Sequence, residues 1–140
     1  MIALTTTAVL TLLALLHVYW GFGGRSGWLA ALPEVDGEPA FVPSALASFA
    51  VAACLAAAAL VAAATGGLLS LGWPPSPFLR WACYAVAAVF ALRAVGDFRW
   101  VGFSKRLRGT RFSRLDDLLY SPLCLLLASG LFAVAWSAVR

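Results

Sequence analysis

Arg93 and Asp97 stand four residues apart in a stretch otherwise apolar enough to cross a membrane. Four residues make about one helical turn, so the spacing places both on one helix side and predicts an ion pair. Charge inside a bilayer is costly, which makes an ionisable residue in a span a functional-site candidate by default. His17 near the end of the first apolar stretch, and Asp117 with Tyr120 near the start of the last, extend the set. Asp97, Asp117, His17 and Tyr120 are the candidate catalytic groups, because each can exchange a proton. Arg93 suits an anionic head such as phosphate or carboxylate, or tunes Asp97. Arg99, Trp20 and Trp100 complete the candidate ligand-binding set. The indoles would stack on a ligand or a cationic intermediate, or serve as interfacial belt residues.

The inventory also excludes chemistry. No Ser/His/Asp triad is visible. One histidine cannot build a multi-histidine zinc site or a bis-histidine haem site within one chain. Cys54, Cys83 and Cys124 fall in three different apolar stretches without a Cys-x-x-Cys pair, so they read as small packing residues. No metal and no cofactor is expected.

The elements that must position these groups follow from composition. Of 140 residues, 63% are hydrophobic and 11% charged, and the mean hydropathy is +0.92. Soluble domains run at roughly 45–50% apolar and about 25% charged. Four stretches, about 2–20, 43–69, 78–98 and 118–139, are close to or above the ~20 residues a spanning helix needs. Short alternating segments of a β-barrel are missing, and lipid requires the backbone to satisfy its own hydrogen bonds, so the stretches read as helices. The fold expected is all-α: one integral membrane domain over residues 1–140, an antiparallel four-helix bundle. The first stretch has no basic residue before it and runs through His17-Val18-Tyr19-Trp20 into glycines, so it reads as a retained helix rather than a signal peptide.

Four spans put loops 1 and 3 on one face. These carry Arg25, Arg99, Lys105, Arg106, Arg108, Arg111 and Arg114, whereas the other face has Arg80 and Arg140. The positive-inside rule then places loops 1 and 3 in the cytoplasm and both termini outside. The basic loop 3 would also attract anionic lipid headgroups; nothing else supports nucleic acid as a partner. Loop 1 holds Glu34, Asp36 and Glu38 between prolines and reads as a solvated loop. The second stretch, with twelve alanines over 43–66, reads as the packing spine of the bundle. Loop 2, built on Gly72, Pro74, Pro75 and Pro77, would make helices 2 and 3 a tight hairpin. Ser113-Arg114-Leu115-Asp116 has the pattern of a capping box, which would give Asp116 a structural role and leave Asp117 free. A short echo between His17–Phe22 and Asp97–Phe103 suggests equivalent positions in two helix hairpins.

His17-x-x-Trp20-x-x-Gly23-Gly24, the stretch Leu92–Arg99 continuing to Val101-Gly102-Phe103, and Leu119-Tyr120-Ser121-Pro122-Leu123-Cys124 together resemble the bacterial domain-of-unknown-function family 3995. The resemblance spans nearly the whole chain, and its middle motif is quite specific. It implies a small four-helix protein of the bacterial inner membrane, with no activity to carry over.

Three functions are compatible with these residues. The first is an intramembrane site near the cytoplasmic face, where His17, Arg93, Asp97, Asp117 and Tyr120 share a depth. It would bind or transform an apolar or amphiphilic, lipid- or isoprenoid-like molecule by acid/base chemistry of the isomerase or cyclase kind. The second is a transporter, which four helices form only as a homo-oligomer. The third is a non-enzymatic assembly or partner subunit, to which the alanine-rich helix is equally suited.

Overall fold

The structure is a computed structural model that describes residues 1–35, 37–69 and 76–138. It is mostly helical. Helix α1 is Ile2–Gly21, α2 is Ala45–Thr65, α3 is Pro77–Val95 and α4 is the continuous run Arg111–Ser137. All four are long and apolar enough to span a membrane. At about 1.5 Å per residue, each covers roughly the 30 Å of a hydrocarbon core.

Local chemistry sets the ends. The Ser44 hydroxyl accepts the Ala47 N–H at the start of α2. Ser76 caps α3 by accepting from Phe78, with Pro77 in the first turn, where its missing N–H costs nothing. Helix α3 stops at Val95 because Gly96 takes φ 100°, so Asp97 lies beyond the helix rather than in it. Helix α4 begins at Arg111, seven residues before the expected start of the fourth span. Its cap is Thr110, whose Oγ1 accepts the Ser113 N–H at 3.0 Å. The expected Ser113–Asp116 capping box is therefore not formed: Ser113 lies inside the first turn, and Asp116 is turned inward.

Helix α4 contains one π turn, Asp116–Tyr120, closed by the Ser121 N–H to the Asp116 carbonyl. Pro122 follows immediately. A proline ring crowds the carbonyl four residues back and donates no hydrogen bond, so a widened turn relieves it.

Helix α1 packs along α2, and α3 along α4, with lighter contacts from α2 to α3 and α1 to α4. Gly21 at the end of α1 sits on Phe49 near the start of α2, while Ala3 meets Gly66 just past the end of α2. Tyr84 of α3 meets Phe132 of α4, and the Cys83 thiol donates to the Leu131 carbonyl at 3.3 Å. Small residues bring the backbones close: Gly130 of α4 has no room for a Cβ beside Thr6 of α1. The core combines Ala58, Ala59, Ala62 and Ala87 with Leu10, Leu127 and Leu131. Large apolar side chains, among them Leu4, Leu12, Leu60, Trp81, Leu118 and Leu126, point outward. Water would not tolerate so much exposed apolar surface, but lipid is a good solvent for it.

Loop 1 is ordered in two places, a 3-10 turn at Leu29–Ala31 and a small antiparallel ladder, β1 (Glu34–Val35) with β2 (Glu38–Pro39). Asp36, the loop 2 residues Gly72, Pro74 and Pro75, and Val139 and Arg140 lie outside the described residues. The three cysteines are free thiols.

Candidate functional sites at one end of the helices

Loop 3 folds back on the ends of α3 and α4 around one buried carboxylate. Asp116 is fully buried and has three partners. Its Oδ1 accepts from Arg93 Nη2 at 3.0 Å. Its Oδ2 accepts from Lys105 Nζ at 3.0 Å and from the Gly102 N–H at 2.7 Å. Lys105, also fully buried, directs its ammonium at Asp116, Asp117 and the Gly102 carbonyl, so all three of its donors are used. Asp117 is 34% exposed and reaches the largely exposed Arg108 at 3.5 Å. Two adjacent residues on an α-helix point about 100° apart; here both are in the π turn and both reach Lys105.

This network corrects the expected Arg93–Asp97 pair. Arg93 reaches across to Asp116 of α4, while Asp97 serves its own loop. Asp97 Oδ1 accepts the N–H groups of Arg99, Trp100 and Val101 at 2.7–3.0 Å. Partial burial pushes the Asp97 carboxyl up, but the Val101, Arg99 and Trp100 N–H groups outweigh it and hold the carboxyl below the usual carboxylate range. The loop closes onto the last carbonyls of α3 through Phe103 N–H to Ala94 and Ser104 N–H to Val95. Gly96 and Gly102 meet backbone to backbone, where neither can carry a Cβ. Phe98 is left at φ 62°, a conformation that costs a bulky residue of order 1–3 kcal/mol. The expected equivalence of His17 and Asp97 also fails, because His17 is helical and Asp97 is not.

Asp116 thus has its structural role through a buried ion network rather than through a helix cap, and Asp117, expected to be free, joins the same network through Lys105. The participant that sequence reasoning missed is Lys105, counted there as one more loop cation. A signal was present: the chain has nine arginines and this single lysine. A compact ammonium with three rotatable donors fits a cage of three oxygens, which a planar guanidinium does not.

His17, Trp20 and Tyr120 belong to a second region, under loop 1. Among the described residues no hydrogen bond or ion pair joins His17 to Arg93, Asp97 or Asp117. The His17 Nδ1 lies 2.8 Å from the Leu13 carbonyl. A carbonyl only accepts, so Nδ1 carries the hydrogen, and Nε2 is the acceptor of the neutral ring. Trp20 packs edge-on against His17 with ring centres 4.9 Å apart, and its Nε1–H donates to the Ser26 carbonyl at 3.0 Å. The Tyr120 hydroxyl donates to the Ala30 carbonyl at 3.0 Å, which straps the 3-10 turn of loop 1 to α4.

Beneath that turn lies a cavity of about 260 Å³, lined by His17, Trp20, Trp28, Leu32, Phe41 and Val51 among others. A second cavity of about 350 Å³ shares Trp20, Trp28, Pro43 and Ser48 with it and has Arg25, Gly23 and Gly24 on its walls. A third, of about 610 Å³, runs along α1 and α2 between Thr7, Thr11, Ala52, Ala56 and Ala63. Trp100 and Arg99 line none of these three: the Arg99 guanidinium lies over the Trp100 ring, 4.8 Å from its centre.

The chain matches the family model DUF3995, described as a protein of unknown function, over residues 10–131 and belongs to that family. No curated protein and no solved structure matches it.

Proposed function

We propose that this is a small multi-pass membrane protein, an antiparallel four-helix bundle of the bacterial inner membrane. Loops 1 and 3 face the cytoplasm, and the protein binds an apolar or amphiphilic molecule beneath loop 1. One observation carries the binding reading: two cavities share a wall, one mostly aromatic and aliphatic and ending on His17, the other polar and bearing Arg25. An amphiphile has the same division, with an apolar body and a charged head. Binding sites are commonly apolar hollows with a few polar groups that orient the ligand. His17 Nε2 is the proton acceptor this site offers, so acid/base turnover of the ligand would run through His17.

The ion network at loop 3 supports a structural role for that end. Its carboxylates and its lysine serve as one another's ion-pair partners. Among the described residues the Arg93 Nη1 donor is buried without an acceptor, and Arg93 lines none of the three cavities.

The test is retention of endogenous amphiphile through purification, read by mass spectrometry of the intact protein–ligand complex. Wild-type protein is expected to carry one bound molecule. Ser48→Phe, which fills the wall between the two cavities, should release it without unfolding the helices, and His17→Gln should keep it. Equal retention by wild type and Ser48→Phe would refute the site.

A further inference from the structure

The segment Asp97–Val101 lines none of the three cavities and supplies no side chain to the buried ion network. It is built as a rigid display. Phe98 is 62% exposed and, among the described residues, the one non-glycine with positive φ. An outward aromatic ring and a left-handed backbone are two unfavourable features at one position. They are held there by the Asp97 carboxylate on three N–H groups, by the Gly96–Gly102 backbone contact, and by the Gly102 N–H bound to buried Asp116.

Next to Phe98, Arg99 rests on the Trp100 ring and forms no ion pair among the described residues. The same holds for Arg25, Arg106, Arg111 and Arg114. The acids Asp97, Asp116 and Asp117 are all engaged within the protein. Loop 3 therefore presents Arg99, Arg106, Arg111 and Arg114 without an ion pair among the described residues, with exposed aromatics Phe98 and Phe103 among them, while the acids Glu34 and Glu38 of this end belong to loop 1. The loop starts directly after the last residue of α3, which the four-span reading puts at the boundary of hydrocarbon and water.

We propose that Phe98 and Arg99 form a wedge for an anionic phospholipid. Phe98 enters the boundary between headgroups and acyl chains, Arg99 pairs with the phosphate, and Trp100 supports the guanidinium from behind. The proposal rests on the four-span reading but not on the cavity under loop 1. A lipid fits better than a protein partner because an aromatic ring beside an unpaired arginine at a helix end matches the chemistry of the interface itself.

The test uses the full chain in phosphatidylcholine nanodiscs containing phosphatidylglycerol, with spin-labelled probes of each lipid read by electron paramagnetic resonance. Wild type should immobilise phosphatidylglycerol in preference to phosphatidylcholine. Arg99→Gln should lower that preference about fivefold, the value of one arginine near a charged surface. Phe98→Gly, which suits the left-handed backbone, should lower immobilisation of both lipids. Asp97→Ala should reproduce both losses with ring and charge still present, because it releases the loop geometry. Helical circular dichroism identical to wild type accompanies each variant. Arg106→Gln is the control outside the wedge. An equal drop there means a diffuse positive field and overturns the proposal, as does wild-type selectivity in Arg99→Gln, which would leave a protein as the occupant. Absence of an immobilised lipid shell for either probe would overturn the four-span reading as well.

Discussion

Neutralising Asp116 should damage this protein far more than neutralising its neighbour Asp117. Asp116 is fully buried and carries Arg93, Lys105 and the Gly102 N–H. Asp116→Asn leaves a fully buried ammonium and a partly buried guanidinium facing a neutral amide. Removing one partner of a buried pair costs about 3–5 kcal/mol. In Asp117→Asn, Lys105 keeps Asp116 and the Gly102 carbonyl while its bond to position 117 falls from an ion pair to a bond to a half-exposed amide, and the pair lost with exposed Arg108 is worth about 0–1 kcal/mol. The expected difference between the two variants is about 2–5 kcal/mol, or roughly 30- to 5,000-fold in the unfolding equilibrium. It would be measured by titrating the folded protein in mixed micelles with sodium dodecyl sulfate and following helicity. Double-mutant cycles sharpen the result. Arg93→Met and Asp116→Asn should couple by more than about 1 kcal/mol, while Arg93→Met and Asp97→Asn should add within about 0.5 kcal/mol, because they share no partner. Equal losses at 116 and 117, or strong coupling of 93 to 97, would refute the network described here.

Tyr120→Phe should cost about 1 kcal/mol through the lost bond to Ala30 and speed amide exchange at Leu29–Leu32, the roof of the cavity; unchanged exchange there would mean that the strap does not hold the roof. Asp97 makes a pH-dependent contribution whose sign follows from its lowered carboxyl. The folded group binds its proton less tightly than an unfolded aspartate at about 3.9, so the stabilisation is complete above about pH 5 and is lost as pH falls through the lower folded value. Backbone amide resonances of Arg99, Trp100 and Val101 should therefore stay constant from pH 7 to about 4 and move together below it. A midpoint above 4, or the same titration in Asp97→Asn, would contradict the N–H clamp.

The four long apolar helices, their small-residue lining and the concentration of cations in two of the loops were legible without coordinates. Hydropathy and helix length are local properties, and a backbone in lipid has few alternatives to a helix. Arg93, Asp97, Asp117 and His17 stood out in the sequence, since ionisable groups beside apolar stretches do so whatever they touch, whereas Lys105 did not. The partners of these groups were not legible. Arg93 has a carboxylate one helical turn away in the sequence and bonds instead to one 23 residues on, because Gly96 ends the helix before Asp97 and the loop N–H groups capture that carboxylate. Periodicity could not place Lys105 in the interior. Its burial depends on loop 3 folding back so that Gly102, Asp116 and Asp117 surround one ammonium, and on a π turn ahead of Pro122. The division of His17 and Arg93 into separate regions was likewise decided in three dimensions. Depth along a helix follows from residue number, but the direction of a side chain around the bundle depends on how the helices pack.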